Sequence, residues 1–211
     1  RNLSFDWSCT TRVDFVDRSL LELMKKAGCW LISYGVESGN AEILRRAGKV
    51  YTLAQIHTAF SLTHSLGIKT LGFFMLGLPG ETTRTIKDTI DLAMEMEPDY
   101  ISWSITSVLP GSRLHAMAGT GPVEECPPGG LKKAERNHPF AAGGTQSVVY
   151  EGALPRKLLL RYSYQAHRKF YFRWRYIRRF LANAKSFDEI LAFFRAGWQF
   201  LVHALFSSRN S

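Results

Sequence analysis

Dense apolar runs alternate with helical patterns over the first half of the chain. The run TLGFFMLG at 70–77 has too many successive apolar residues to alternate, which predicts a strand covered on both faces. Gly77, Pro79 and Gly80 then permit a tight turn close to a ligand, and a helical pattern begins at Thr82. A strand, a glycine-rich turn and a helix N-terminus form a common ligand-binding arrangement of α/β proteins, although a purely structural turn shows the same pattern.

The same order of elements occurs three times. Each unit has a helix ended by glycine or proline, then an apolar strand, then a loop of small residues. The predicted strands are 3–9, 29–36, 68–77 and 100–108, and the predicted helix starts are Asp17, Asn40, Thr52 and Thr82. Such repeats predict an α/β fold with about four parallel strands, in a doubly wound sheet or part of a barrel. In either case the active face lies at the C-terminal ends of the strands.

The second half of the chain has a different composition. Residues 119–153 are rich in glycine and proline, which predicts a linker with little regular structure. Pro155 is a typical first helical residue, so one helix is predicted from there to Ala184, and a last helix begins at the cap Ser186. These patterns predict three parts: residues 1–118, the linker 119–153, and an α-helical C-terminal region at 154–211.

The formal net charge of +9 belongs to one segment. Residues 155–180 contain nine Lys or Arg, no Asp or Glu, and several aromatic residues, whereas the rest of the chain is balanced. Three interpretations stay open. The aromatic side packs on the core while the cations are solvated, or the segment contacts an anionic membrane or a lipid-like substrate, or it binds nucleic acid, which is the least favoured.

Cysteine and histidine spacing predicts no metal site. Cys9, Cys29 and Cys126 lie far apart, and the six histidines form no ligand set. We see no Ser-His-Asp arrangement, no GxxxxGK phosphate loop, and no run of about 18 apolar residues that would cross a membrane. Unpaired cysteines favour a reducing, cytoplasmic compartment.

A few charged residues near predicted strand and helix ends are candidates for binding. Glu37, with Ser38 beside it, could bond a diol such as ribose, or it could cap the following helix. Lys49 could return to the same rim and meet a carboxylate, although a solvated lysine is the commoner case. Glu81 stands at a helix start, where the helix dipole favours a carboxylate, so its predicted role is structural. No residue is assigned a catalytic role.

These residues also carry a resemblance to a known family. The stretches YGVESGNAEILRRAGKVYT, GIKTLGFFMLGLPGET and SVLPGS are similar to the second half of radical S-adenosylmethionine (SAM) barrels. The most similar branch has an upstream cobalamin-binding domain and includes the magnesium-protoporphyrin oxidative cyclase. RKFYFRWRYIRRFL resembles the C-terminal helical region of that branch. The pair GVESG and GLPGET, at this separation, is the specific signal within residues 3–118.

The resemblance implies the C-terminal part of a (β/α)6 partial TIM barrel, followed by an α-helical region. It implies that Glu37 and Ser38 face the ribose and methionyl part of SAM. It implies that Lys49 lies where related enzymes hold a basic residue against the methionine carboxylate. The remaining cofactor-binding positions that it implies, beside the adenine or facing the cavity, are Phe74, Met75, Gly77, Leu109, Pro110 and Arg12.

One part of the family pattern is missing. The chemistry of the family begins at a [4Fe-4S] cluster bound by a CxxxCxxC loop, and this sequence has no such loop. Together with Arg1 as the first residue, this predicts a fragment of a longer enzyme whose missing N-terminal part supplies the ligands of the cluster and of cobalamin. The alternative is a degenerate, non-catalytic binding module. The chain alone is expected not to cleave SAM.

The expected function is therefore the SAM-binding portion of a radical SAM enzyme. Such an enzyme would methylate or oxidatively rearrange an unreactive carbon of a small-molecule or lipid-like substrate, with the cofactors supplying the difficult chemistry. A tRNA methylthiotransferase is the alternative within the enzyme class. It would need a β-rich RNA-binding domain after the barrel, and the predicted helical tail argues against it. The substrate itself is not predicted.

Overall fold

The structure is a computed structural model that describes residues 5–108, 112, 114, 131–133, 148–150, 154–183 and 191. The chain divides into two compact units, Arg1–Ser163 and Tyr164–Ser211. The predicted division at 118 and 153 remains a prediction.

A four-stranded parallel sheet forms the centre of the first unit. Its strands are β1 (Trp7–Thr11), β2 (Cys29–Glu37), β3 (Lys69–Leu76) and β4 (Tyr100–Ile105). They lie side by side in the order of the chain, and each neighbouring pair is parallel. The predicted α/β fold with four parallel strands is confirmed.

Helices connect the strands and begin where side chains cap them. The helices of this unit are α1 (Arg18–Lys26), α2 (Ala41–Arg46), α3 (Leu53–Ser65) and α4 (Thr83–Met96). The side chains of Asp17, Asn40, Thr52 and Thr82 accept hydrogen bonds from backbone N–H groups of the first turns. All four predicted helix starts are confirmed. They were predictable because a capping hydrogen bond joins residues only two or three positions apart.

The sheet buries one face under the helices. Tyr34 on β2 hydrogen-bonds Thr63 of α3 at 2.7 Å, and its ring lies 5.0 Å from Phe60. Thr70 on β3 contacts His64 of the same helix at 2.9 Å. The buried positions of β3 are Thr70, Gly72, Phe74 and Leu76.

The other face of β3 is less covered than the sequence predicts. Leu71, Phe73 and Met75 are only partly buried, so the strand alternates despite its dense apolar sequence. The prediction of a strand covered on both faces is wrong for the described residues. Apolar density alone does not distinguish a fully covered face from a partly covered one.

Two strand boundaries also differ from the prediction. The first strand is predicted over 3–9, and among the described residues it runs over Trp7–Thr11, where it pairs with Cys29 to Tyr34 of β2. The predicted strand 100–108 ends at Ile105, and Ser107–Val108 forms a separate strand, β5.

A small antiparallel sheet lies within the predicted linker. Strands β6 (Leu131–Lys133) and β7 (Val148–Tyr150) pair with each other, and β7 also pairs with β5. The interpretation of 119–153 as a linker with little regular structure remains a prediction, and these two short strands are the part of it that the structure describes. Their pairing joins segments distant in sequence, which local composition does not reveal.

The predicted single helix from Pro155 to Ala184 is broken. Helix α5 spans Arg156–Tyr171 and helix α6 spans Trp174–Asn183. The break brings the ring of Tyr176 to 5.3 Å from Phe170 and 5.1 Å from Tyr171, contacts that a continuous helix would not allow at these separations. The predicted helix starting at Ser186 lies outside the described residues, apart from Leu191.

The loop after β2 is fixed against α4. The backbone N–H of Gly39 donates to the hydroxyl of Thr89 at 2.9 Å, and the Asn40 amide donates to Asp88 at 3.0 Å. A Cβ on Gly39 would lie 2.5 Å from the Asp88 carbonyl oxygen and 2.7 Å from the Thr89 Cα. Only glycine allows the backbone to approach α4 this closely. The contact fixes the position of the loop that follows Glu37.

We expect Gly39→Ala to destabilise the chain more than Gly48→Ala. Gly48 has φ +74° and open space around it, so its alanine costs only backbone strain, about 1 kcal/mol. Gly39→Ala must separate the loop from α4, which we expect to cost about 2 kcal/mol or more. Urea denaturation of both variants measures the difference, and equal losses would show that the contact with α4 is not a constraint.

Candidate binding site at the strand ends

The C-terminal ends of β2 and β3 lie together at one edge of the sheet. Glu37 ends β2 and pairs with Phe74 of β3, with an irregular register between Gly35 and Glu37. The glycine turn that starts at Gly77 follows β3 directly. This edge is where parallel α/β proteins bind ligands.

Glu37 has a strained backbone conformation. Its φ is +64°, a region that residues with a Cβ rarely adopt. The N–H of Ser38 donates to the carbonyl of Val36 at 2.8 Å, which closes a three-residue γ-turn around Glu37. A γ-turn with positive φ is rare and costs on the order of 1 kcal/mol or more. Strain of this kind is concentrated at binding and catalytic sites.

Lys49 meets Glu37 at this edge. Its Nζ lies 2.9 Å from Oε1 of Glu37, and the two side chains are 33% and 16% exposed. The predicted return of Lys49 to the rim to meet a carboxylate is confirmed. The ammonium has three donors, and this contact uses one of them.

Glu81 binds the turn that precedes it. One of its carboxyl oxygens, Oε2, accepts the N–H groups of Gly77 and of Leu78, the latter at 3.2 Å. The other oxygen, Oε1, is buried without a hydrogen-bond partner. The residue is 2% exposed, and this burial raises the pKa of its carboxyl to about 7, although the two backbone donors lower it in part.

The structural role predicted for Glu81 at a helix N-terminus agrees with these contacts. The partners, however, are the N–H groups of the preceding turn, because the carboxyl is turned back onto its own loop. The signal for this was present in the sequence, because a glutamate four residues after a positive-φ glycine can reach the N–H groups of that turn. Its burial was not readable from sequence.

Two glycines of this turn have close neighbours. Gly77 and Gly80 have φ values of +86° and +81°. A Cβ on Gly77 would lie 2.7 Å from a methyl group of Leu159, and a Cβ on Gly80 would overlap the guanidinium of Arg46. The tight turn predicted here is confirmed, and the groups that approach these two glycines most closely are protein side chains.

Tyr51 contributes to the site and was not predicted. Its buried hydroxyl lies 2.9 Å from the carbonyl oxygen of Gly35 and 3.5 Å from that of Val36, directly before the strained turn. A tyrosine between a lysine and a helix cap carries no local signal for such a contact.

Several predicted site residues have other partners in the structure. Arg12 forms a bidentate ion pair with Asp14, and its guanidinium lies 4.5 Å from the centre of the Phe15 ring. The hydroxyl of Ser38 is buried against that of Thr89 at 3.1 Å.

The residues assigned to the adenine side divide between the two faces of the sheet. Phe74 is buried and stacks on Trp103 at 4.8 Å, whereas the next residue, Met75, is partly buried on the opposite face. Leu109 and Pro110 lie outside the described residues. The cofactor-binding roles of all these residues remain predictions.

The donor set at this edge fits a SAM molecule. A carboxylate suits the two hydroxyls of a ribose, and an ammonium suits the carboxylate of an amino acid. An iron–sulfur cluster does not fit the residues that the structure describes. Their two free thiols, Cys9 and Cys29, have pKa values raised by burial, that of Cys29 to about 11, and no three metal-binding side chains come together in this part of the chain.

Comparison with known proteins finds similarity over the first half of the chain. Residues 3–93 match the radical SAM superfamily. An uncharacterized methyltransferase of Pyrococcus horikoshii is 32% identical over 116 residues, which are 55% of this chain and 25% of that protein. The anaerobic magnesium-protoporphyrin IX monomethyl ester cyclase of Rubrivivax gelatinosus is 33% identical over 121 residues, 56% of this chain and 22% of that protein. The chain spans about a quarter of the length of these relatives.

Solved structures share the fold. The radical SAM methyltransferase TsrM from Kitasatospora setae, with tryptophan substrate and the SAM analogue aza-SAM bound, matches with a TM-score of 0.58 at 19% sequence identity. The match covers 74% of this chain and 34% of that chain. The structure of the same enzyme with cobalamin and a [4Fe-4S] cluster gives a TM-score of 0.56. The predicted partial-barrel fold is confirmed, and the sequence matches confirm the resemblance to the radical SAM superfamily.

We expect the buried carboxyl of Glu81 to make stability depend on pH. Between the ordinary glutamate value of 4.5 and about 7, the folded chain keeps a proton that the unfolded chain has released. The free energy of unfolding therefore falls as pH rises through this window, by about 3 kcal/mol. Glu81→Gln removes this titration, so the difference in stability between wild type and variant should change by that amount across the window.

Urea denaturation at a series of pH values measures this difference. Glu22→Gln, which removes an exposed carboxylate on α1, is the control and should show no comparable change. A difference between wild type and Glu81→Gln that is independent of pH would contradict a neutral buried carboxyl.

Proposed function

We propose, from the match of residues 3–93 to the radical SAM superfamily, that the chain is the SAM-binding portion of a radical SAM enzyme. The enzyme would act on an unreactive carbon of a small-molecule substrate, by methylation or oxidative rearrangement. The observation that carries the proposal is the strained Glu37 paired with Lys49 at the C-terminal edge of the sheet.

The proposal assigns a distinct task to each group at the edge. Glu37 accepts hydrogen bonds from the ribose hydroxyls, and Lys49 donates to the methionine carboxylate. Met75 and Gly77, with Leu109 and Pro110, flank the adenine, and Arg12 faces the cavity. Ser38 and Phe74 would also contact SAM, and both have protein partners, since Ser38 bonds Thr89 of α4 and Phe74 packs against Trp103.

Radical SAM enzymes use SAM and a [4Fe-4S] cluster to generate a reactive radical, and cobalamin-type members add a methyl carrier. The chain described here would contribute binding and orientation of SAM and exclusion of water from it. The cluster and cobalamin would be held by other parts of the intact protein.

We expect Glu37→Ala and Lys49→Ala each to weaken binding of SAM about tenfold or more in the intact protein. Each removes a charge-assisted hydrogen bond to the ligand. Because the two side chains contact each other, their effects should not add in the double variant. Isothermal calorimetry measures the affinities, with Lys87→Ala on α4 as an exposed control.

Glu37→Gly separates binding from stability. Glycine adopts positive φ without strain, so this variant should be about as stable as wild type or more so, while it loses affinity for SAM. Unchanged affinity in both Glu37→Gly and Lys49→Ala would show that this edge does not bind SAM.

The C-terminal unit supports a second, separate proposal: contact with an anionic membrane surface. Trp174 is 72% exposed, and Leu181 lies two helical turns further along the same face of α6, with the exposed Arg178 between them. An aromatic and an aliphatic side chain with cations around them suit the interface of an anionic bilayer. No helix in the described part of the chain has the length and hydrophobicity to cross a bilayer. The protein would work in a reducing, cytoplasmic compartment at such a surface, on a small or lipid-like substrate.

We expect Trp174→Ser to lower partitioning onto phosphatidylcholine–phosphatidylserine vesicles about tenfold. A tryptophan that inserts into the bilayer interface contributes on the order of 1–2 kcal/mol to membrane binding. Vesicle co-sedimentation measures the effect. Trp30→Ser, which removes a partly exposed tryptophan on β2, is the matched control. Equal binding of wild type and Trp174→Ser, or stronger binding to single-stranded RNA than to vesicles, would argue against the membrane proposal.

A further inference from the structure

The strained turn at Glu37 is held by hydrogen bonds on both sides. On the C-terminal side, the hydroxyl of Thr89 accepts the N–H of Gly39 and contacts the hydroxyl of Ser38. On the N-terminal side, the hydroxyl of Tyr51 donates to the carbonyl of Gly35 at 2.9 Å. Without such contacts, a glutamate would not stay at φ +64°.

Tyr51 reaches the turn because of its place in the chain. It lies between Lys49, which pairs with Glu37, and Thr52, which caps α3. Its side chain is 4% exposed, so water does not compete for the hydroxyl. Burial and, to a lesser degree, the charge of Glu37 raise the pKa of Tyr51 above its usual value, so the hydroxyl remains a donor.

Gly35 completes the arrangement. A Cβ at this position would lie 3.0 Å from Oε1 of Glu37, the oxygen that Lys49 contacts. The missing side chain leaves room for the carboxylate, and the carbonyl of the same residue accepts the Tyr51 hydroxyl. Gly35 therefore contacts both groups: the Glu37 carboxylate lies over its Cα, and its carbonyl accepts the hydroxyl of Tyr51.

We propose that Tyr51 is a positioning residue for ligand binding: its hydroxyl holds the carbonyl of Gly35 so that the turn presents the Glu37 carboxylate to the ligand. This inference rests on the proposed function, in which Glu37 binds the ribose of SAM. A purely structural tyrosine would act through its buried ring. The two roles differ in whether the hydroxyl matters for binding.

The test compares Tyr51→Phe with Tyr34→Phe in the intact protein. Both variants keep the ring and lose a buried hydroxyl. The hydroxyl of Tyr51 contacts the carbonyls of Gly35 and Val36, whereas that of Tyr34 contacts Thr63, away from the turn. We expect Tyr51→Phe to raise the Kd for SAM about three- to tenfold, as the loss of one hydrogen bond allows. Tyr34→Phe should leave this Kd unchanged, although its thermal unfolding temperature also falls.

A second readout does not depend on the ligand. The backbone chemical shifts of Glu37 should move away from values typical of positive φ in Tyr51→Phe and stay unchanged in Tyr34→Phe. If Tyr51→Phe does not fold, Gly35→Ala, which displaces the carboxylate by contact, should produce the same loss of affinity.

The outcomes separate the inference from the proposed function. If wild type does not bind SAM, the proposed function fails, and the Glu37 shifts alone decide whether Tyr51 positions the turn. If wild type binds SAM and Tyr51→Phe binds it equally well, the inference is overturned. Equal losses of affinity in both tyrosine variants would also overturn it, because they would indicate a general effect of destabilisation.

Discussion

The left-handed turn at Glu37 is the constraint on which the rest of the candidate site depends. A regular strand end would leave this glutamate in extended backbone, whereas φ +64° lets its carboxylate lie over Gly35, where Lys49 reaches it. The conformation is unfavourable by itself, and the neighbouring residues compensate with hydrogen bonds from outside the strand. The position of the Glu37 carboxylate therefore depends on Thr89 of α4, on Tyr51 in the segment after α2, and on Gly35.

Two carboxyl groups at the same edge of the sheet have different environments. Glu81 is buried, which favours the neutral form of its carboxyl, and the two N–H groups of its own turn offset this only in part. Glu37 remains partly exposed and keeps an ammonium partner. The first holds the glycine turn after β3 in shape, and the second is accessible to a ligand. Burial and partners, rather than residue type, assign these roles.

The features predicted correctly from sequence are those that depend on near neighbours or on topology. Asp17 and Thr52 cap their helices through residues three positions away. The contact of Lys49 with Glu37 was predictable because a helix between them returns the chain to the strand ends. The shift of the first strand to Trp7–Thr11 and the pairing of Ser107–Val108 with Val148–Tyr150 were not, since a strand needs a partner that local sequence does not name.

The sequence by itself determined the repeated βα units, the parallel sheet, the edge at which its strands end, the helix caps and the family resemblance of residues 3–118. Each of these rests on periodicity, on capping residues or on short motifs with specific spacing. Only the tertiary structure decided that Glu37 is strained, that Tyr51 contacts its turn and that Glu81 is buried with an unpartnered oxygen. These properties arise from contacts between residues up to fifty positions apart, and burial and strain exist only once those contacts have formed.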